Sequence, residues 1–128
     1  MIYLDTSVAL AHLLSETQRP PDDFWGETLI SSRLLQYELW IRLHGRHLSR
    51  SHGDAARALL GNIAFLELTP VVLARALEPF PIPLRALDAL HLASLEFFRA
   101  QGQTVELASY DQRMLAAARA LKIPLRAL

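Results

Sequence analysis

Met1-Ile2-Tyr3-Leu4-Asp5-Thr6-Ser7 opens the chain, and Val105-Glu106-Leu107-Ala108-Ser109-Tyr110-Asp111 stands near its other end. Each is a short apolar strand that runs into an acid. Between them, strand and helix patterns alternate. Thr6 or Ser7 caps a short helix over 7–14, and the polar stretch 16–27, with Pro20-Pro21 and Asp22-Asp23, reads as a loop or lid. A second strand at 28–31 leads to a helix that Ser32 opens and that runs to Gly45. A helix over 51–62, a strand over 64–68 and a short helix over 70–77 with Pro70 at its first position come next. Pro79, Pro81 and Pro83 stiffen the connection to a long helix over 85–100, closed by Gly102. The strand at 105–108, a last helix over 111–121 and an edge strand at 123–125 complete the order. Such alternation predicts right-handed crossovers and a parallel sheet covered on both faces, an α/β fold built as a three-layer α/β/α sandwich of four to five strands. The wholly apolar first strand belongs near the middle of that sheet. Ligands of such sheets bind beyond the carboxyl ends of the strands, and Asp5 and Asp111 both stand at that end.

Two further acids are locally out of place. Glu38 has Leu34, Leu35 and Ile41 as helical neighbours, and Asp88 has Leu84, Leu92 and Leu95 on its side of a helix. A carboxylate on a core-facing position costs several kcal/mol unless something pairs with it. Few basic residues lie near these acids in sequence, so a metal ion is the simplest partner. Asp88 falls in the first turn of its helix, where the dipole favours an anion. Each acid alone has a plainer explanation. Asp5 can be a cap or turn acid, Glu38 can pair with Arg42, Asp88 with Arg85, and Asp111 can cap the last helix. An exposed pair one helical turn apart contributes only ~0.3–0.5 kcal/mol. Four such acids on one sheet rim outweigh the separate explanations.

The bulk properties narrow the classes. A chain of 128 residues is read as one domain, 1–128, able to bury roughly two-thirds of its unfolded surface. The hydrophobic share of 52% favours a core-rich fold, with a further face buried in an assembly. Net charge is zero, so nucleic-acid contact must come from a local patch. Cysteine is absent, which removes thiolate catalysis, disulfides and zinc–sulfur sites. Met1 leads straight into a strand without a cleavable leader, and no apolar run approaches a membrane span, so a cytoplasmic location is expected.

Histidine spacing points away from a ligand role. His91 lies three residues after Asp88, as in di-iron bundles, but the residue three after Glu38 is Ile41, so the second copy is missing. His44 and His47 lie on an Arg-rich stretch that faces solvent or RNA, and His12 and His52 carry no signal. Trp25 and Trp40 are core or interface residues. Neither a phosphate-cradling glycine motif nor a Gly-x-Ser-x-Gly elbow occurs. Aspartyl-phosphate phosphatases need a second acid two residues after the first, and that residue here is Ser7.

Asp5-Thr6-Ser7 after the initial strand, Ser32 followed by Glu38, Leu87-Asp88-Ala89-Leu90-His91-Leu92-Ala93, and Ser109-Tyr110-Asp111 before the final helix together resemble the PIN-domain ribonucleases. The short toxins of VapBC toxin–antitoxin modules are the most similar subgroup, and the likeness spans nearly the whole chain. Two positions depart from the pattern. Ser109 stands where threonine is more common, and Lys122 where glycine is frequent.

The resemblance implies that Asp5, Glu38, Asp88 and Asp111 form the catalytic and metal-binding cluster, with Thr6, Ser7 and Ser109 as supporting hydroxyls. Oxygen-only ligands suit Mg²⁺ or Mn²⁺, ions that activate water and stabilise the leaving oxygen in phosphodiester hydrolysis. Clustered carboxylates also repel, so without metal one of them should hold a proton more tightly than in solution. The implied activity is endonucleolytic cleavage of RNA. Arg33, Arg42, Arg46 and Arg50, with His44 and His47, form the candidate RNA-positioning surface, with a merely solvated face as the equal alternative. The implied partners are an RNA substrate, a VapB-like antitoxin that pushes a basic side chain towards the acids, and a second copy of the chain in a homodimer. Leu34, Leu35, Leu39 and Trp40 exceed what one core stripe requires and are candidates for an antitoxin groove or dimer seam. The alternatives are a catalytically silent PIN-like module that binds RNA or protein, and, more weakly, a metal-dependent phosphatase on small substrates.

Overall fold

Period-two alternation in the strands decides which side chain enters which layer. The computed structural model describes residues 1–128. Four strands, β1 (Ile2–Leu4), β2 (Leu29–Ser32), β3 (Ile63–Leu66) and β4 (Glu106–Ala108), form one sheet in the order β3-β2-β1-β4, with every pairing parallel. Six α-helices connect them: α1 (Thr6–Leu13), α2 (Leu34–Gly45), α3 (Ser49–Leu60), α4 (Pro70–Ala76), α5 (Ala86–Ala100) and α6 (Gln112–Ala120). Ile2 and Leu4 of β1 and Leu29 of β2 point into one core with Val8, Leu35, Leu39, Leu43 and Leu59 from α1, α2 and α3. Tyr3 and Ile30, the intervening residues, point the other way, against Leu92, Leu95, Met114 and Ala117 from α5 and α6. The result is a three-layer α/β/α sandwich with β1 in the interior of the sheet, as the sequence predicts. Each fully buried Leu or Ile contributes ~1.5–3 kcal/mol relative to exposure, which explains why two short strands suffice to hold the centre.

Several local expectations are corrected. Helix α1 begins at Thr6, after Asp5, and neither Thr6 nor Ser7 caps it; Asp5 occupies the cap position without making a side-chain cap bond. Segment 16–27 is no free lid. It carries a 3-10 turn, Asp22–Gly26, whose Phe24 is buried in the core while Trp25 meets His12 in a tilted ring contact at 4.4 Å. The edge strand at 123–125 reduces to one parallel bridge, Leu107 to Leu125. On α2, Leu35 and Leu39 are wholly core, and the apolar side chains left in solvent are Tyr37 and Ile41. No helix is long and apolar enough to cross a membrane.

Candidate active site

Parallel pairing of β1 with β4 in the register Leu4 to Ala108 sets the rim of the sheet. The ladder continues one step beyond the strands, where the Asp5 N–H donates to the Ala108 carbonyl at 3.0 Å. That places Asp5 beside Ser109. The Ser109 hydroxyl donates to Asp5 Oδ2 at 2.8 Å and accepts the Asp111 N–H at 2.9 Å. Ser7, in the first turn of α1, donates to the same Oδ2 at 2.7 Å and accepts the Tyr110 N–H at 3.0 Å. Two hydroxyls therefore hold one carboxylate oxygen, and each also ties down the backbone that follows β4. Asp5 is nearly buried. Oδ2 of its acceptor-only carboxylate is held by two hydroxyls and no counter-ion.

The other three acids reach the same cleft from separate elements. Asp5, Glu38, Asp88 and Asp111 all line an open cavity of ≈ 420 Å³, with Thr6 and Ser7 on its floor and Arg42 and Arg85 on its walls. Asp88 stands in the first turn of α5. Asp111 caps α6, accepting the N–H groups of Arg113 at 2.9 Å and Met114 at 3.4 Å. Its capping role, expected as the plain explanation, thus coexists with a place in the cleft. Glu38 is not core-facing in the way its neighbours suggest. Leu35, Leu39 and Leu43 take the core stripe, Ile41 is exposed, and Glu38 sits at the stripe's border. It accepts the Thr6 hydroxyl at 2.8 Å and contacts His91 Nε2 at 2.5 Å.

None of the four carboxylates is paired with an arginine or with Lys122. The plainer alternatives, Glu38–Arg42 and Asp88–Arg85 pairs, do not form, although both arginines line the cleft. Burial pushes the Asp88 carboxyl above its ordinary value, and the charges of Asp111, Asp5 and Glu38 push it the same way, with His91 opposing. The acids therefore share one electrostatic site. No three of the chain's His, Asp and Glu side chains close into a ready-made metal cage. The apolar groove between α4 and α5, ≈ 230 Å³ and lined by Val71, Val72 and Phe97, has only the mutually neutralising Arg75–Glu96 pair and offers no comparable chemistry.

Of the four arginines expected on an RNA surface, only Arg42 lines the cleft. Arg33 is committed elsewhere, bonded to Glu67 at 2.7 Å and to Gln36 at 2.9 Å, with its guanidinium over Phe65 at 4.6 Å. Arg46 and Arg50 make no ion pair and lie outside the cleft. The sequence suggests Arg85 only as a partner for Asp88, points away from a ligand role for His91, and gives Tyr3 no role beyond the strand. His91 is buried on α5 at 1% exposure and bonds Tyr3 Oη through Nδ1 at 2.8 Å. The signal available was a histidine embedded among leucines one turn after Asp88. Its partner Glu38 is remote in sequence, so no spacing rule could join them.

Residues 2–124 match the PIN domain family. The chain is 32% identical to a protein named Ribonuclease VapC47 from Mycobacterium tuberculosis (strain CDC 1551 / Oshkosh), over 93% of this chain and 90% of the relative. With four acids on the carboxyl rim of a parallel sheet and a match over nearly its whole length, the chain belongs to the PIN-domain family and is VapC-like.

Proposed function

We propose that this protein is a Mg²⁺- or Mn²⁺-dependent endoribonuclease, the toxin of a toxin–antitoxin module, acting in the cytoplasm as one nuclease domain over residues 1–128. The observation that carries this reading is four carboxylates lining one cleft with no arginine or lysine paired to any of them. The name of the M. tuberculosis relative supports the same class of activity. An all-oxygen donor set of carboxylates and hydroxyls suits a hard divalent cation such as Mg²⁺, which keeps several waters and binds through one or two carboxylates. When bound, such an ion supplies an activated water and charge stabilisation for an in-line phosphoryl displacement.

The chain's own residues do the rest. Ser7 and Ser109 fix Oδ2 of Asp5, so its orientation is set before any ligand arrives. Glu38 and Asp88 face Asp5 across the cleft from helices on opposite faces of the sheet. Arg42 and Arg85, uncommitted to the acids, are placed to meet the backbone of an RNA strand entering between them. Arg46 and Arg50 extend that positive surface further along the chain. Proposed partners are RNA, a VapB-like antitoxin and a second copy of the chain. Exposed Tyr37 and Ile41 on α2, Val71 and Leu73 on α4 and Leu77 at its C-cap are the apolar positions such contacts would cover.

The test compares wild type with Asp5→Asn and Asp88→Asn on total RNA in Mg²⁺, Mn²⁺ and EDTA. Losing one acidic charge should lower cleavage by ~10²-fold or more, while circular dichroism shows folding retained. Equal cleavage by wild type and both variants, or full cleavage in EDTA, would overturn the nuclease assignment in favour of a module that binds without cutting.

A further inference from the structure

We infer that His91 is the positioning residue of this site, holding the Glu38 carboxylate in one orientation through Nε2, with Tyr3 fixing its tautomer. The inference rests on the metal-site reading above and deepens it. Glu38 stands on α2 and His91 on α5, helices on opposite faces of the sheet, so their 2.5 Å contact joins the two helical layers above the strand ends.

Hydrogen-bond direction follows from what each group can do. An ionised carboxylate only accepts, so Nε2 of His91 carries the hydrogen that Glu38 Oε1 receives. Neutral imidazole then has a lone pair on Nδ1, and Tyr3 must donate to it across 2.8 Å. The Tyr3 oxygen in turn accepts the Ser32 N–H at 3.1 Å. Tyr3 is fully buried, and burial raises its phenol well above the ordinary value, so it remains a donor at any working pH. With this assignment the Tyr3 hydroxyl, both His91 nitrogens and Glu38 Oε1 each have a partner in the buried run.

Thr6 Oγ1 adds a second donor to the same Oε1 at 2.8 Å. Two donors on one oxygen remove the rotational freedom of the carboxylate and leave Oε2 as the free ligand atom. Supporting partners of this kind typically change metal affinity by about 10–100-fold. Helical spacing explains the economy of the arrangement: one turn of α5 presents Asp88 to the cleft and His91 beneath it to hold a second acid.

The test is Mn²⁺ affinity, read from the electron paramagnetic resonance signal of free Mn²⁺ without RNA. Two amide variants separate reach from polarity. In His91→Gln the amide can approach the Nε2 position and donate to Glu38, whereas in His91→Asn it reaches only the Nδ1 position. His91→Asn should weaken Mn²⁺ by about 10–100-fold and His91→Gln by no more than about threefold. Asp5→Asn serves as the arm for the site itself. If Asp5→Asn leaves Mn²⁺ binding unchanged, the metal-site reading fails and takes this inference with it. If Asp5→Asn weakens binding but the two His91 variants match each other, whether both intact or both weak, the positioning role alone is refuted. Should His91→Asn not fold by circular dichroism, Tyr3→Phe decides. It leaves the imidazole in place without its tautomer lock and should weaken Mn²⁺ by about tenfold, the lower end of such outer-shell effects. Unchanged binding in Tyr3→Phe overturns the inference.

Discussion

Ser109→Ala removes a single hydroxyl that serves two neighbours at the rim of the sheet. The Oγ donates to Asp5 Oδ2 at 2.8 Å and accepts the Asp111 N–H at 2.9 Å, and the residue is 5% exposed. A hydrogen bond to a charged group contributes ~1.5–3 kcal/mol and one to a neutral group ~0.5–1.5 kcal/mol. Ser7 keeps its own bond to Asp5 at 2.7 Å, so the carboxylate is not abandoned. Water entering the open cleft replaces part of what is lost. The net cost should therefore lie near the lower end of the sum, ~2 kcal/mol. With a urea slope of ~2 kcal/mol/M for a chain of this size, the unfolding midpoint falls by ~1 M with the slope unchanged. Urea titration by circular dichroism in EDTA measures this, with Ser109→Thr as the control. Threonine retains both bonds and should stay within ~0.5 kcal/mol of wild type. A midpoint shift for Ser109→Ala below about 0.25 M, under ~0.5 kcal/mol at that slope, would refute the double role of this hydroxyl. So would a threonine variant as unstable as the alanine one.

Two more outcomes are expected. Asp88 holds its proton more tightly folded than unfolded, chiefly through burial and then through Asp111 and Asp5. Proton binding therefore favours the fold below the unfolded value near 3.8, and that stability is lost as pH rises through the raised folded value. In EDTA, Asp88→Asn should melt higher than wild type at neutral pH, and the gap should close on acidification; a gap independent of pH would contradict this. Lys122 adopts φ 58° just beyond α6, in the left-handed region that costs a non-glycine residue ~1–2 kcal/mol, against an unfolded-state penalty for glycine of ~0.5–1 kcal/mol. Lys122→Gly should raise stability by up to ~1 kcal/mol in the same urea assay, and a loss of that size would show that the lysine side chain supports the turn.

Local pattern determined the architecture of this protein. The alternation of strand and helix, the apolar run Ile2-Tyr3-Leu4 and the punctuation by Pro70, Pro79 and Gly102 were sufficient for a parallel three-layer sandwich with β1 inside it, because burial periodicity and crossover handedness act over a few residues at a time. The four acids were legible for the same reason: each stands at a strand end or breaks an apolar helical pattern. Tertiary structure alone decided how they are held. The Thr6 and Ser7 hydroxyls look like helix caps in sequence, yet they bond Glu38 and Asp5 once the rim of the sheet brings those carboxylates within reach. Arg33 looks free for RNA and is occupied by Glu67 just beyond the ends of β2 and β3, where the pairing of Ser32 with Leu66 brings the two strands together. His91 looks inert because its partners Tyr3 and Glu38 come from distant elements. Hydrogen-bond partners depend on which faces meet across the sheet, and that is settled by the packing of whole layers, which no spacing along the chain records.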